Sequence, residues 1–181
     1  MPSYFGNVMI HLTPPVLGFA AFSGTGKTTL LTQLIPLLKQ RNLRIGLLKH
    51  SHHSFAIDMP GKDSYVLHEA GALQTVVASS QRTMLMVRHA TEPPLETLLQ
   101  HIATSDLNII LVEGFKHYAI PKIELHRPSL GYPLLCRSDP NVIAVAVDAP
   151  LPVAINVPLL DLNAPAVIAN FIHDRYLKTN S

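Results

Sequence analysis

The sequence is poor in charged residues, contains no tryptophan and has a single cysteine. Asp, Glu, Lys and Arg together make up 14% of the 181 residues, whereas roughly 25% is usual in soluble domains. So little charge suggests that part of the surface is covered by a partner, most simply a second copy of the chain. The net charge of +2 and the lack of any basic run argue against a nucleic-acid partner.

Signals for export or membrane insertion are also missing. Cys136 has no second cysteine to pair with, which fits a reducing compartment. No Lys or Arg precedes Lys27 to form the charged start of a signal peptide, and no apolar run approaches the roughly 20 residues that cross a bilayer. We expect a soluble, cytoplasmic protein with no membrane partner. Its length predicts a single domain, at 16–181. Residues 1–15 have no regular pattern and end in Thr-Pro-Pro, so we expect a flexible lead or an edge strand there.

Strand and helix patterns alternate along the chain. A short apolar run at 16–22 is typical of a strand buried on both faces. Further strands are predicted at 43–49, 75–79, 83–88, 107–113, 122–126 and 142–148, and helices at 27–40, 63–70, 95–103 and 164–177. We expect Asp63 to be the N-cap of the second helix and Gly71 to follow its last turn. This alternation predicts an α/β fold with a mainly parallel central sheet.

A glycine-rich turn between the first strand and the first helix carries the clearest chemical signal. The segment Ala21-Phe-Ser-Gly-Thr-Gly-Lys-Thr28 fits the phosphate-binding loop, with alanine in place of the usual first glycine. Main-chain N–H groups of such a turn and the positive end of the next helix attract a polyphosphate. Lys27 supplies a cation for the β and γ phosphates, and Thr28 a hydroxyl for Mg²⁺. The residues expected to bind the nucleotide are Ser23, Gly24, Thr25, Gly26, Lys27, Thr28 and Thr29.

This loop narrows the fold prediction to the three-layer P-loop NTPase type, in which a second acidic site accompanies the phosphates. The apolar run at 109–113 ends in Glu113, which we predict to hold Mg²⁺ together with Thr28; otherwise it is a simple strand-end carboxylate. Asp58 is predicted to orient a water molecule near the phosphates, or else to begin a turn. Lys27, Asp58 and Glu113 are therefore the candidate catalytic residues.

Three histidines, His50, His52 and His53, lie within four residues just after the second predicted strand. Loops at the carboxyl ends of strands border the ligand site in open α/β sheets. With Lys49, these side chains are predicted to line the mouth of the site, where they would bind a metal, a phosphate or an anionic cofactor, or remain ordinary solvated histidines. A four-ligand zinc site is not favoured, because no cysteine pair completes it.

The base preference depends on a residue beyond the phosphate loop. Asn-Lys-x-Asp, the guanine-reading tetrapeptide of small GTPases, is absent from this sequence. Guanine presents adjacent N1–H and N2–H donors, which a carboxylate accepts together, and adenine presents no such pair. Asp148 ends the strand predicted at 142–148 and is a candidate guanine reader; the alternative is that it begins the turn into Pro150.

Six blocks of the sequence, taken together, resemble the molybdopterin-guanine dinucleotide biosynthesis protein B (MobB) family. They are residues 22–29, 48–53, 60–64, 77–79, 111–116 and 142–148. The similarity extends from about residue 16 to residue 172. It implies a homodimeric P-loop protein that binds GTP with Mg²⁺ and hydrolyses it slowly. It also implies a partner, the molybdenum cofactor guanylyltransferase, which joins GMP to the molybdopterin cofactor.

Our leading interpretation is a GTP-binding adaptor with weak GTPase activity in formation of the guanine dinucleotide form of the molybdenum cofactor. Weak hydrolysis fits a loop with no evident arginine finger or water-orienting glutamine beside it. A small-molecule kinase or ligase on the same scaffold is a first alternative, although the dispersed arginines Arg82, Arg88, Arg127 and Arg137 indicate no lid. A metallochaperone-type GTPase that uses the histidines is a second.

Overall fold

The computed structural model describes residues 14–51, 61–102 and 105–178. The chain divides into two compact units, a larger one of Met1–His50 with Leu99–Ser181 and a smaller one of Ser51–Leu98. Among the described residues, no helix is both long enough and apolar enough to cross a membrane.

The strands are short and most lie in the larger unit. Their bounds are β1 Val16–Ala20, β2 Ile45–Lys49, β3 Gln74–Ala78, β4 Thr83–Val87, β5 Ile109–Glu113, β6 Lys122–His126, β7 Val142–Val147 and β8 Leu159–Asp161. The helices are α1 Lys27–Lys39, α2 Asp63–Glu69, α3 Leu95–Ile102 and α4 Pro165–Phe171, and α4 continues as a π-helical turn at Ile172–Leu177. Two 3₁₀ turns, Pro128–Leu130 and Leu135–Arg137, lie between β6 and β7.

The larger unit is built on a six-stranded parallel sheet in the order β2-β5-β1-β6-β7-β8. Strand β1 lies between β5 and β6, and its Phe19 is opposite Glu113 of one and Ile123 of the other. The carboxyl ends of all three strands therefore meet at one edge of the sheet. The predicted α/β fold with a mainly parallel central sheet is confirmed.

The core of this unit follows from apolar strands and one leucine-rich helix. Every residue of β1, β5 and β6 is buried, as expected for parallel strands covered on both faces. Helix α1 buries Leu30, Leu34 and Leu38, which recur every four residues along one face. It packs against α4, which contributes the buried Ile168. The start of α1 is thereby fixed relative to the end of β1.

Two buried charged residues of β6 fix the proline-rich segment at 128–141, which follows this strand. Glu124 accepts hydrogen bonds from the main-chain N–H groups of Leu135 and Cys136, each 2.8 Å long. Lys122 donates to a carboxylate oxygen of Asp139 at 2.7 Å. Because both side chains are almost fully buried, these contacts are shielded from water and hold the segment against the sheet.

The smaller unit contains α2, the antiparallel hairpin of β3 and β4, and the first residues of α3. His68 Nδ1 lies 2.8 Å from Thr75 Oγ1, and Arg88 pairs with Glu69 at 2.6 Å, which links the helix to the hairpin. Helix α2 buries none of its residues in the described structure. The unit instead exposes five large apolar side chains: Val66, Leu67, Leu73, Val76 and Leu85.

Most predicted elements are confirmed to within a few residues, and the differences have local causes. The prediction of Asp63 as N-cap is wrong: Lys62 has the extended backbone of the cap, and Asp63 is the first helical residue. A carboxylate in the first turn still interacts favourably with the helix dipole. Strand β8 was not predicted, because three residues give no periodic signal. The division into 1–15 and 16–181 stays a prediction, since residues 1–13 lie outside the described part.

Candidate functional site

The phosphate loop connects β1 to α1 and contains two glycines with a left-handed backbone. Gly24 has φ of 77° and Gly26, the N-cap of α1, has φ of 99°. Side-chain-bearing residues rarely adopt such angles, so glycine is required at both positions. The turn places the positive end of α1 at the carboxyl edge of the sheet, as the sequence predicts for a phosphate cradle.

Thr25 holds the loop in shape from within. Its side chain is buried, and its hydroxyl donates to the carbonyl oxygen of Phe22 at 2.8 Å. The main-chain N–H of Thr25 donates to the same oxygen at 3.4 Å. Thr25 therefore closes the turn with its side chain.

Lys27 lies over the loop with its ammonium 3.3 Å from the carbonyl oxygen of Ala21. Burial lowers the pKa of Lys27 below its ordinary value; the charge of Glu113 opposes this shift, and the charges of Lys116 and Lys49 add to it. Desolvation and two cationic neighbours destabilise the charged form of this ammonium, and Glu113 offsets this only in part. A further negative charge close by would stabilise it. This is the electrostatic setting that a polyphosphate would satisfy.

Glu113 ends β5 next to the phosphate loop. One of its oxygens lies 3.5 Å from Thr28 Oγ1, and the other lies 3.3 Å from Lys49 Nζ. The structure therefore brings Thr28 and Glu113 together, as the sequence predicts, and places Lys49 beside Glu113 as well. A hydroxyl and a carboxylate are oxygen ligands suited to Mg²⁺ beside phosphates, so the residues present fit this ion.

His50 is the one member of the histidine cluster that the structure describes. Its main-chain N–H donates to the carbonyl oxygen of Glu113 at 2.8 Å, and its ring lies 4.9 Å from that of Phe115. The remaining predicted site residues of this loop, His52, His53 and Asp58, lie outside the described residues. Within the described ranges, no three His, Cys, Asp or Glu side chains are grouped so that they could hold a metal ion.

Two aromatic rings and a lysine beside the loop were missed by the sequence analysis. The ring of Phe22 stacks on that of Tyr132 at 4.5 Å, and Lys116 Nζ lies 5.2 Å from the centre of the Phe22 ring. Tyr132 comes from the proline-rich segment, 110 positions along the sequence. Contacts of Lys122 and Glu124 hold that segment against the sheet, and no sequence pattern indicates them.

Arg127, which the sequence analysis gave no role in the site, also contacts the phosphate loop. Its Nε donates to the carbonyl oxygen of Thr25 at 2.9 Å. Its Nη1 donates to Oδ2 of Asp148 at 2.5 Å. Arg127 follows β6 and Asp148 follows β7, and the two strands pair in parallel. The contacts therefore arise from the register of neighbouring strands.

The two carboxylate oxygens of Asp148 differ in their contacts. Oδ1 is buried and has no hydrogen-bond partner among the described residues. A shallow depression of about 360 Å³ adjoins this carboxylate. It is lined by Val147, Asp148, Ala149, Pro150, Leu159, Leu160, Asp161 and Asn163. Apolar side chains and several acceptor oxygens thus face the same hollow.

The sequence matches the family model described as "Molybdopterin guanine dinucleotide synthesis protein B" over residues 16–148. It is 50% identical over 178 residues to the molybdopterin-guanine dinucleotide biosynthesis adapter protein of Escherichia coli (strain K12), covering 97% of this chain and 98% of that protein. The Haemophilus influenzae protein of the same name is 42% identical, with 94% of each chain covered.

Solved structures with less sequence similarity share the fold. The crystal structure of Bacillus subtilis MobB has a TM-score of 0.70 at 24% identity and covers 88% of this chain and 96% of its own. The MobB protein homolog from Bacillus stearothermophilus has a TM-score of 0.66 at 23% identity, with 91% and 98% covered. From the phosphate loop, the parallel sheet and the match of most of its length, this chain belongs to the molybdopterin guanine dinucleotide synthesis protein B family.

Proposed function

We propose that this protein is an adapter in biosynthesis of the molybdopterin guanine dinucleotide, and that it acts by binding GTP with Mg²⁺. The adapter role is supported by the names and full-length similarity of its relatives. The observation that carries nucleotide binding is the phosphate loop, where Gly24 and Gly26 have left-handed angles and Lys27 lies over the turn.

The phosphate loop would bind the triphosphate through its main-chain N–H groups and the dipole of α1. Lys27 would leave the carbonyl oxygen of Ala21 for the β and γ phosphates. When bound, Mg²⁺ supplies charge neutralisation on those phosphates. Thr28 and Glu113 would hold the ion, and Lys49, which now pairs with Glu113, would turn toward the mouth of the site.

Hydrolysis is proposed to be slow. Arg127 is the arginine nearest the loop among the described contacts, and two of its nitrogens are engaged by the Thr25 carbonyl and Asp148. It is therefore not directed at a γ phosphate, where an arginine accelerates hydrolysis most. Asp58 is the remaining candidate for orienting a water molecule.

Guanine is the proposed base. Oδ1 of Asp148 is a buried acceptor with no hydrogen-bond partner among the described residues, and Asp148 lines a hollow of about 360 Å³. Because Oδ2 is held by Arg127, one carboxylate would not accept both guanine donors at once. Asp161 or Asn163, which line the same hollow, would accept the second.

The partners proposed are a second copy of this chain, the guanylyltransferase of the pathway and its molybdopterin cofactor. Lys49, His50, His52 and His53, which lie close together in the sequence, are the proposed docking residues for the cofactor or the enzyme. The exposed apolar side chains of the smaller unit support pairing with a second copy. The proposed location is the cytoplasm, where a lone cysteine such as Cys136 stays reduced.

Titration calorimetry with Lys27→Ala tests the central assignment. We expect GTP with Mg²⁺ to bind the unaltered protein, and the variant to lose affinity by at least about a hundredfold, because two or more charge-assisted hydrogen bonds disappear. Lys39→Ala, in the last turn of α1, is the matched control and should bind as the unaltered protein does. Equal affinity of Lys27→Ala would refute the cradle, and tighter binding of ATP than of GTP would refute the base assignment.

A further inference from the structure

Arg127 connects two parts of the proposed nucleotide site that are far apart in the sequence. We propose that it is a positioning residue, which couples the base-side carboxylate Asp148 to the shape of the phosphate loop. This inference rests on the proposed function and adds a residue that neither the phosphate-loop pattern nor the acidic strand end includes.

Arg127 contacts the phosphate loop at the carbonyl oxygen of Thr25. The hydroxyl and N–H of Thr25 both donate to the Phe22 carbonyl, and its own carbonyl accepts from Arg127 Nε at 2.9 Å. In a planar trans peptide, the C=O of one residue and the N–H of the next point in opposite directions. By fixing the Thr25 C=O, Arg127 also fixes the direction of the Gly26 N–H.

Fixing the peptide orientation has the largest effect at Gly26. Its φ of 99° lies in the left-handed region, which glycine adopts readily. Because a free glycine samples more backbone conformations than any other residue, fixing Gly26 in this one costs the most conformational entropy. A Cβ added at Gly26 would lie only 3.7 Å from Nη2 of Arg127, so the guanidinium also packs against this residue. An ordered Gly26 directs its N–H before any ligand arrives, which lowers the cost of binding.

Asp148 in turn holds the guanidinium. Its Oδ2 accepts from Nη1 at 2.5 Å, its Oδ1 has no hydrogen-bond partner among the described residues, and the residue lines the hollow. Both residues come directly after paired strands, with His126 opposite Val147. Any group that binds Asp148 in the hollow therefore acts on the residue that orients the loop, and the coupling must be reciprocal.

Inorganic tripolyphosphate with Mg²⁺ is the probe, because it occupies the loop and has no base to touch Asp148. Calorimetry would compare the unaltered protein with Arg127→Ala, Asp148→Ala and the double variant. We expect each single variant to bind tripolyphosphate about tenfold more weakly, from the loss of one charge-assisted bond. The double variant should be no weaker than Arg127→Ala, because both act through one chain of contacts.

Whether Asp148→Ala weakens or strengthens tripolyphosphate binding distinguishes a positioning role of Asp148 from a purely electrostatic one. Removing a carboxylate near the site should strengthen the binding of an anion if only charge matters. Weaker binding supports positioning; unchanged or tighter binding overturns it, as does a double variant whose loss is the product of the two single losses. Asp148→Asn and Arg127→Lys give conservative versions. The lysine should not restore affinity, since its single nitrogen lacks the planar fork through which Nε and Nη1 of Arg127 reach the two partners.

Melting temperatures of all variants, measured alongside, separate loss of affinity from loss of folding. Arg41→Ala is the matched control, because Arg41 also contacts a main-chain carbonyl and a side chain, at the far end of α1. It should leave tripolyphosphate affinity unchanged. If the unaltered protein bound neither GTP nor tripolyphosphate, the proposed function would fail; if it bound both and the variants did so equally well, only the coupling would fail.

Discussion

At the scale of single residues, Glu113 shows how the site is balanced without its ligands. The carboxylate is buried at the end of β5, where an unpaired charge would be costly. Lys49 neutralises it from the neighbouring strand β2, and Thr28 approaches from α1. The lysine is about half exposed, so it can leave toward solvent more cheaply than the carboxylate can. Glu113 can therefore lose its contact with the Lys49 ammonium when Mg²⁺ binds.

Glu113→Gln should therefore remove the magnesium-dependent part of GTP binding. The amide keeps the shape of the side chain but loses the charge that a divalent ion requires. We expect affinity measured with Mg²⁺ to fall about tenfold or more, as for the loss of one charged contact, and affinity measured in EDTA to stay the same or rise. Asp106→Asn, at an exposed position of the larger unit, is the control. An equal loss in both buffers would contradict the assignment.

The residues that sequence alone could identify are those whose chemistry is local. Gly24, Gly26 and Lys27 belong to one turn, and their required angles and charge follow from the sequence pattern. Arg127 could not be found in this way, because it reaches Thr25 across 102 positions. Its place depends on β6 lying beside β1, and strand order is a property of the folded chain.

At the scale of elements, strands and helices with clear apolar patterns were predicted well, whereas the change of helix type at the end of the chain was not. Strand β6 was predicted with its observed bounds, and α1 was predicted to within one residue. The final helix was predicted as continuous, but it changes to a π-helical turn at Ile172–Leu177. That turn lies beneath β1: its Tyr176 hydroxyl donates to the carbonyl oxygen of Val16 at 2.7 Å. Such tertiary contacts override local propensity.

The Tyr176 contact predicts an alkaline loss of stability. Burial raises the pKa of Tyr176 to about 12, whereas an unfolded chain has a tyrosine pKa near 10. The folded state holds the proton more tightly, so this contribution is intact below about pH 10 and is lost as pH rises toward 12, by about 2–3 kcal/mol in total.

Denaturant unfolding of Tyr176→Phe provides the comparison. Below pH 10 the variant should be less stable by about 1 kcal/mol, for the lost hydrogen bond. As pH rises to 12 the difference should shrink and reverse, because the variant has no phenol to ionise. Parallel stability curves for the two proteins across this range would contradict the assignment.

A second element-scale prediction concerns the buried ammonium of Lys122. It donates to the main-chain carbonyls of Lys116 and Tyr118 and to the carboxylate of Asp139, at 3.1, 2.6 and 2.7 Å. Lys122→Met keeps most of the volume but leaves three acceptors without a donor. We expect the free energy of unfolding to fall by about 3 kcal/mol.

Urea unfolding would measure this loss. Lys178→Met is the control, since Lys178 pairs with Asp174 on the surface at 3.4 Å, and surface pairs contribute at most about 1 kcal/mol. Equal stability of the Lys122 variant would show that the proline-rich segment does not depend on this contact.

At the scale of the whole molecule, the low content of charged residues and the exposed apolar side chains of the smaller unit both indicate a surface that a partner covers. A two-stranded hairpin is marginal when isolated, and β3 and β4 have no third strand in the described structure. Val76 and Leu85 are opposite one another in the hairpin, and both are largely exposed, at 62% and 41%. An apolar pair so exposed costs solubility unless a partner covers it, and the proposed homodimer would supply that cover.

Val76→Lys combined with Leu85→Glu should therefore yield monomers. The new charges form a cross-strand pair that preserves the hairpin, but burying them in an interface would be unfavourable. Sedimentation velocity should give about twice the chain mass for the unaltered protein and one chain mass for the variant. Leu130→Lys with Val167→Glu, at two exposed apolar positions of the larger unit, is the matched control and should remain dimeric. If the control dissociated and the hairpin variant did not, the interface would involve Leu130 or Val167 of the larger unit instead. If the unaltered protein were already a monomer, the low content of charged residues would need another cause.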